Sequence, residues 1–213
     1  MAGRHFLRWY RIEEGLFMSY LKDKKKILFL GAMLILTAVT SVIAFACGIN
    51  PPIGNVAGAF ASFLAAVIVC MLFKVSDQMY YLTLAFVYFA SPVGSVLNFY
   101  RSIGPYDKIV HFFSGVLIAA FGYMIIWNMI NKNNVDKNEH SKLRGVSVLF
   151  SMLASGAGAG IWEIMEFTMD IIASGTMQRG MVDTITDMIA GDLGGICYGL
   201  VMLYMGRKSF KER

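Results

Sequence analysis

Asp183 and Asp187 stand four residues apart at the start of a long apolar stretch, so one helix face would carry both carboxylates, one above the other. Two upstream segments repeat the theme. Asp107 and His111 open another apolar stretch at the same spacing, and Glu163 and Glu166 close a third. Lipid does not solvate ionisable side chains, and where they occur in membrane-length helices they mark ion, proton or substrate sites. One imidazole with several carboxylates suits zinc, manganese, iron, magnesium or calcium better than copper(I), and the residues do not choose among these divalent ions. Asp107, His111, Glu163, Glu166, Asp183 and Asp187 are therefore the candidate metal ligands. Glu163 and Asp183 are also the candidate catalytic carboxylates, with one left as general base toward metal-activated water. Lys108 and Arg179 complete the candidate catalytic set as receivers of an anionic head group.

Each of these residues also has a structural reading. Asp107 can cap a helix while His111 bonds a neighbouring carbonyl. Glu163 and Glu166 can surface into water at a helix end, and Arg179 can pair with an acid. A solvated helix start would use one aspartate such as Asp183 to offset the macrodipole, but it has no use for Asp187 a turn deeper.

Positioning these groups requires membrane helices. The 213 residues are 57% hydrophobic and 15% charged, with a mean hydropathy of +0.59, which reads as an integral membrane protein. A hydrocarbon layer takes about 20 helical residues to cross, and six stretches reach that length, at about 27–47, 53–73, 79–98, 109–130, 146–166 and 181–205. None shows the regular polar alternation of a barrel strand. The expected fold is all-α and polytopic, with six transmembrane helices in one compact bundle. Residues 1–26, where Arg4, Arg8 and Arg11 interleave with aromatic and aliphatic side chains, read as an amphipathic interfacial helix, and residues 207–213 as a basic tail beyond the membrane domain of 27–206.

Charge placement orients the chain. With the amino terminus in the cytoplasm, Arg101, Lys108 and Arg179 are the only outer members of the 19 Lys and Arg residues, so the positive-inside rule puts both termini in the cytoplasm. The net charge of +5 is thus a topology signal, and no basic stripe suggests nucleic-acid binding. Asp107, Glu163, Glu166, Asp170, Asp183, Asp187 and Asp192 fall at or near the outer ends of the last three stretches, predicting one acidic site near the outer face. Gly115 continues the Asp107/His111 stripe, Gly156 and Gly160 extend the Glu163 face, and Gly191, Gly195 and Gly199 follow Asp187. Small residues below each acid would let the helices approach closely. Cys47, Cys70 and Cys197 read as packing groups, with no disulfide framework.

The strings YDKIVHFF, WEIMEF and VDTITDMIAGDLGG resemble the YjdF family of bacterial inner-membrane proteins and, more distantly, the VanZ-like family associated with glycopeptide resistance. The resemblance covers about residues 104–200 and rests on Asp107, Lys108, His111, Phe112, Glu163, Glu166, Arg179, Asp183, Asp187, Gly191 and Gly195. Acids at Glu166 and Asp187, where VanZ-like chains often carry Gln and Asn, favour the YjdF side. The resemblance implies a multi-pass protein of the bacterial cell membrane and strengthens the site without naming a reaction.

The expected function is a metal-dependent hydrolase or transferase acting on a lipid or lipid-linked cell-envelope substrate, with membrane lipids as its partners. Two alternatives stay open. One is a cation- or proton-coupled small-solute transporter, and the other a non-catalytic envelope accessory protein with a structural metal. Oligomeric state is not legible.

Overall fold

Asp23 starts the first helix by accepting backbone hydrogen bonds from Lys25 and Lys26, at 3.0 and 3.4 Å. In this computed structural model the described residues are 23–132, 137–173, 175 and 177–211. The predicted amino-terminal interfacial helix lies outside them, apart from its last residues. Those residues, Lys24 to Lys26, belong to the first spanning helix, because the Asp23 cap precedes them.

The described residues are mainly helical and contain no strand. Helix α1 spans Lys24–Ala46, α2 Ile53–Leu72 and α3 Asp77–Tyr88, which runs on into a π-helical segment, Phe89–Val96. A short α4, Phe99–Ser102, precedes α5, Tyr106–Lys132; α6 is Lys137–Ala173 and α7 is Met181–Lys211. Six stretches of these helices are long and apolar enough to cross a membrane. The all-α, six-span expectation holds. The chain divides into two compact units, Met1–Ile103 and Gly104–Arg213.

In the first unit, α1 and α3 are joined by polar side chains. Lys26, though buried, pairs with Asp77 at 2.7 Å and lies over the Tyr80 ring. Farther along, the Thr40 and Tyr88 hydroxyls meet at 2.8 Å. Pro92 lacks the N–H an α-helix needs, and it sits inside the π-helical segment, whose last turn closes from Leu97 N–H to the Pro92 carbonyl at 3.1 Å. Asn98 then takes a left-handed φ of 62° that ends the run.

In the second unit α5, α6 and α7 pack on one another. Contacts along their length fix their directions: Lys108 meets Asp183, Gly115 meets Gly191, and the Tyr123 ring meets Tyr198, so α5 and α7 run parallel. Ser155 touches both Gly115 and Gly191, while Met152 and Val148 reach Gly199, so α6 runs antiparallel to the other two. At Gly115 and Gly194 a Cβ would lie 2.0 Å from a backbone oxygen of the facing helix. Only glycine permits that approach.

The interior of this unit is small and polar. Ser147, Ser151 and Ser155 are fully buried, and Ala159 and Glu163 continue the same stripe at four-residue steps. Outside, Leu153, Ile161, Ile164, Ile171, Val182 and Leu200 are among the exposed apolar side chains. A water-soluble bundle buries its large apolar side chains, whereas lipid favours this inverted arrangement. Ser155 Oγ lies 2.9 Å from the Gly191 carbonyl and 3.1 Å from that of Gly115, donating its one proton between α5 and α7. Ser155→Ala is expected to lower the stability of the protein in detergent by about 1 kcal/mol, the net worth of an interhelical hydrogen bond. A thermal melt of the solubilised protein reads this.

Candidate functional site

The close glycine crossing dictates what faces what above it. His111 lies four residues before Gly115 and Asp187 four before Gly191; Asp107 and Asp183 lie eight before. Because α5 and α7 run parallel through that contact, each four-residue step of about 6 Å brings an α5 side chain level with its α7 counterpart. Glu163 is eight residues beyond Ser155 on the antiparallel α6, which carries it to the same end of the unit.

The cluster is buried. Relative exposures are 8% for Asp107, 7% for His111, 5% for Glu163 and 2% for Asp187. His111 Nε2 stands 3.6 Å from Asp107 Oδ1 and 3.8 Å from Asp187 Oδ1. Among the described residues, the ligand atoms of Asp107, His111 and Asp187 come within 4.8 Å of one another. One nitrogen and two carboxylate oxygens at that separation form half of an octahedral set or most of a tetrahedral one, and fit a divalent ion.

Two cations already touch these acids. Lys108 Nζ lies 2.6 Å from Asp183 Oδ1, 2.7 Å from Asp187 Oδ1 and 3.8 Å from Asp107 Oδ2. Arg179 joins Asp107 through Nη2 and Asp183 through Nε, the latter at 3.1 Å. Glu163 Oε1 is buried without a hydrogen-bond partner among the described residues, while the buried Asp187 Oδ1 is held by the Lys108 ammonium. An unpartnered buried oxygen is uncommon in folded proteins and calls for a physical account.

The remaining predicted residues separate. Glu166, half-buried, accepts a hydrogen bond from the Trp162 indole at 2.7 Å. Asp170 receives the backbone N–H groups of Met177 and Gln178, at 2.8 and 2.9 Å, and so ties down the linker that carries Arg179. Asp192 is exposed beside Gly156, and Gly160 faces Met188, so these two glycines flank the buried Ser155–Ala159–Glu163 stripe of α6. Nor does α6 end at the glutamates, since the helix continues to Ala173.

The chain matches the family described as "Predicted membrane protein (DUF2238)" over residues 16–208. It belongs to that family. The YjdF-type resemblance of residues 104–200 agrees, because YjdF is a DUF2238 protein. The chain is also similar to an uncharacterized protein of Thermotoga maritima, 32% identical over 124 residues. That alignment takes in 58% of this chain and 59% of the relative. No solved structure matches.

Sequence reasoning passed over one arrangement in this DUF2238 chain: Lys108 lies among the aspartates themselves. Its signal was a lysine in the first turn of an apolar helix, directly after an acid, where a long flexible stem can reach across a helix interface. The Gln178 side chain also donates to Thr184 at 3.1 Å, a second tie between the linker and α7.

Proposed function

We propose that this DUF2238 protein is a metal-dependent membrane hydrolase or transferase acting on a lipid or lipid-linked substrate of the bacterial cell envelope. The observation that carries the reading is the convergence of Asp107 and His111 of α5 with Asp187 of α7, and a buried Glu163 oxygen without a hydrogen bond on α6, close enough to feel the charges of Asp183 and Asp187. Asp107, His111 and Asp187 would hold the ion. A divalent ion there supplies Lewis acidity toward a substrate oxygen and toward water. Glu163 takes the proton of the attacking water through its unbonded Oε1, and Asp183 holds Lys108 and Arg179 at the mouth, where they orient an anionic head group. The basic residues concentrated at the opposite helix ends support a site near the outer face with both termini in the cytoplasm. The Asp-Lys-x-x-His-Phe opening at Asp107 to Phe112 supports a more distant kinship with VanZ-like proteins.

Metal analysis of the purified full chain tests the reading. The wild type is expected to bind zinc or manganese in equimolar amount, and His111→Ala and Asp187→Ala to lose it while remaining monodisperse. Full metal content in both variants would remove the proposed ligand set. Asp192, exposed along the apolar part of α7, favours a second reading as a cation- or proton-coupled transporter. Proton or cation flux in proteoliposomes that Asp192→Asn abolishes would select it.

A further inference from the structure

We infer that Lys108 and Arg179 form a counter-ion latch: a divalent cation entering the Asp107, His111 and Asp187 set displaces Lys108 from Asp187, and the released ammonium and the Arg179 guanidinium then hold a phosphate-type oxyanion. This rests on the reading of those three residues as metal ligands and adds the order of binding and the chemical class of the second ligand.

Burial supplies the first argument. The side chains of Asp107 and Asp187 are 11% and 3% exposed, whereas those of Lys108 and Arg179 are 32% and 40% exposed. The cations therefore lie on the accessible side of the acids they neutralise. Lys108 Nζ, 2.7 Å from Asp187 Oδ1, stands where an ion bound by that oxygen would repel it. At 4 Å two unit charges interact by about 4 kcal/mol at an effective dielectric constant of 20, so ammonium and divalent ion do not share one oxygen. The lysine stem can swing outward, while the acids cannot follow it.

Charge supplies the second. Asp107, Asp183 and Asp187 against Lys108 and Arg179 leave one net negative charge at the mouth, which rejects anions. A divalent ion adds two positive charges: it reverses that sign where Glu163 is neutral and cancels the negative charge where Glu163 is ionised. Asp183 is then left as the one carboxylate shared by both cations. One buried oxygen without a hydrogen bond, Glu163 Oε1, shows independently that the cluster's acceptors exceed its own donors.

The pairing of a guanidinium fork with a mobile ammonium matches a tetrahedral oxyanion with several equivalent oxygens. A phosphate has that form whether free or in a lipid head group. Linkage makes the proposal reciprocal: the ion tightens the anion and the anion tightens the ion by one factor.

The test titrates manganese and inorganic phosphate into the full chain in phosphatidylcholine nanodiscs, and manganese into nanodiscs containing phosphatidylglycerol. Saturating manganese is expected to tighten phosphate about tenfold, with the reciprocal gain for manganese. A gain with inorganic phosphate identifies a free-phosphate site. A tenfold tightening of manganese confined to phosphatidylglycerol discs, and lost in Lys108→Met, identifies a head group. In phosphatidylcholine discs Lys108→Met is expected to bind manganese more tightly than wild type, because the competing ammonium is gone. The reciprocal wild-type measurement decides the matter if that variant does not fold. Manganese binding without coupling in either disc overturns the latch and leaves the metal reading standing. Absence of both manganese and zinc binding in the wild type overturns both.

Discussion

Gly194→Ala is expected to destabilise the unit formed by α5, α6 and α7 by about 2 kcal/mol, within the range for overpacking a tight contact. The new Cβ would meet the Phe112 carbonyl oxygen at 2.0 Å and Val116 N at 3.0 Å, both backbone atoms that no rotamer change can move aside. Gly115→Ala meets the Gly191 carbonyl oxygen at the same 2.0 Å and should behave alike. Alanine's better helix propensity returns at most about 1 kcal/mol, so the clash wins. Gly58→Ala in α2 is the control with the opposite sign. Nothing lies within 4 Å of its Cβ, and the propensity term alone predicts no loss or a small gain. Thermal melts of the three detergent-solubilised variants read the contrast. Gly194→Ala is also expected to weaken metal binding, since His111 and Asp187 are level only while the backbones below them touch. A Gly194→Ala melt equal to that of Gly58→Ala would show that α5 and α7 do not approach this closely.

That crossing also separates what was legible in the sequence from what was not. Six spans could be counted because each contains an apolar run of membrane length, and lipid allows the backbone few alternatives. Boundaries were less legible where charged residues continue a helix. Residues 131–144 read as loop by hydropathy, yet Lys, Glu and Arg are good helix formers and α6 begins at Lys137. The acids, the histidine and their common end of the bundle could be read directly from four-residue spacing. Which of the six candidate ligands converge could not, because that depends on how each helix is rotated about its axis. Three residues turn a helix by about 300°, so Glu166 points about 60° away from Glu163, enough to leave the buried stripe and meet Trp162 instead. The inward stripe of α6 was present in the sequence as Ser147, Ser151, Ser155, Ala159 and Glu163. Gly156 and Gly160 drew attention from it, although the rotation of α6 sets them to one side.

Lys108→Met is expected to be the most damaging single change in the cluster, lowering stability by about 3 kcal/mol, as when one partner of a buried ion pair is removed. It leaves Asp107, Asp183 and Asp187 facing Arg179 alone, and it strips Asp187 Oδ1 of its only ion-pair cation at contact distance among the described residues. Asp187→Leu should be milder. There Lys108 keeps Asp183 at 2.6 Å, and two carboxylates match two cations. The double variant Lys108→Met/Asp187→Leu restores the original net charge, gives both remaining aspartates a guanidinium contact, and should melt above Lys108→Met alone. Additivity of the two single changes would mean that Lys108 and Asp187 are not coupled. Manganese or zinc adds a further discriminating measurement. Added metal should raise the melting temperature of Lys108→Met by more than that of the wild type, because the ion then enters a site that no ammonium fills and stabilises the state it binds. The double variant, lacking Asp187, should gain nothing from the metal. A cluster kept only to hold the helices together predicts instead that metal leaves all three melting temperatures unchanged, so this one series weighs an ion-binding centre against a structural salt-bridge network.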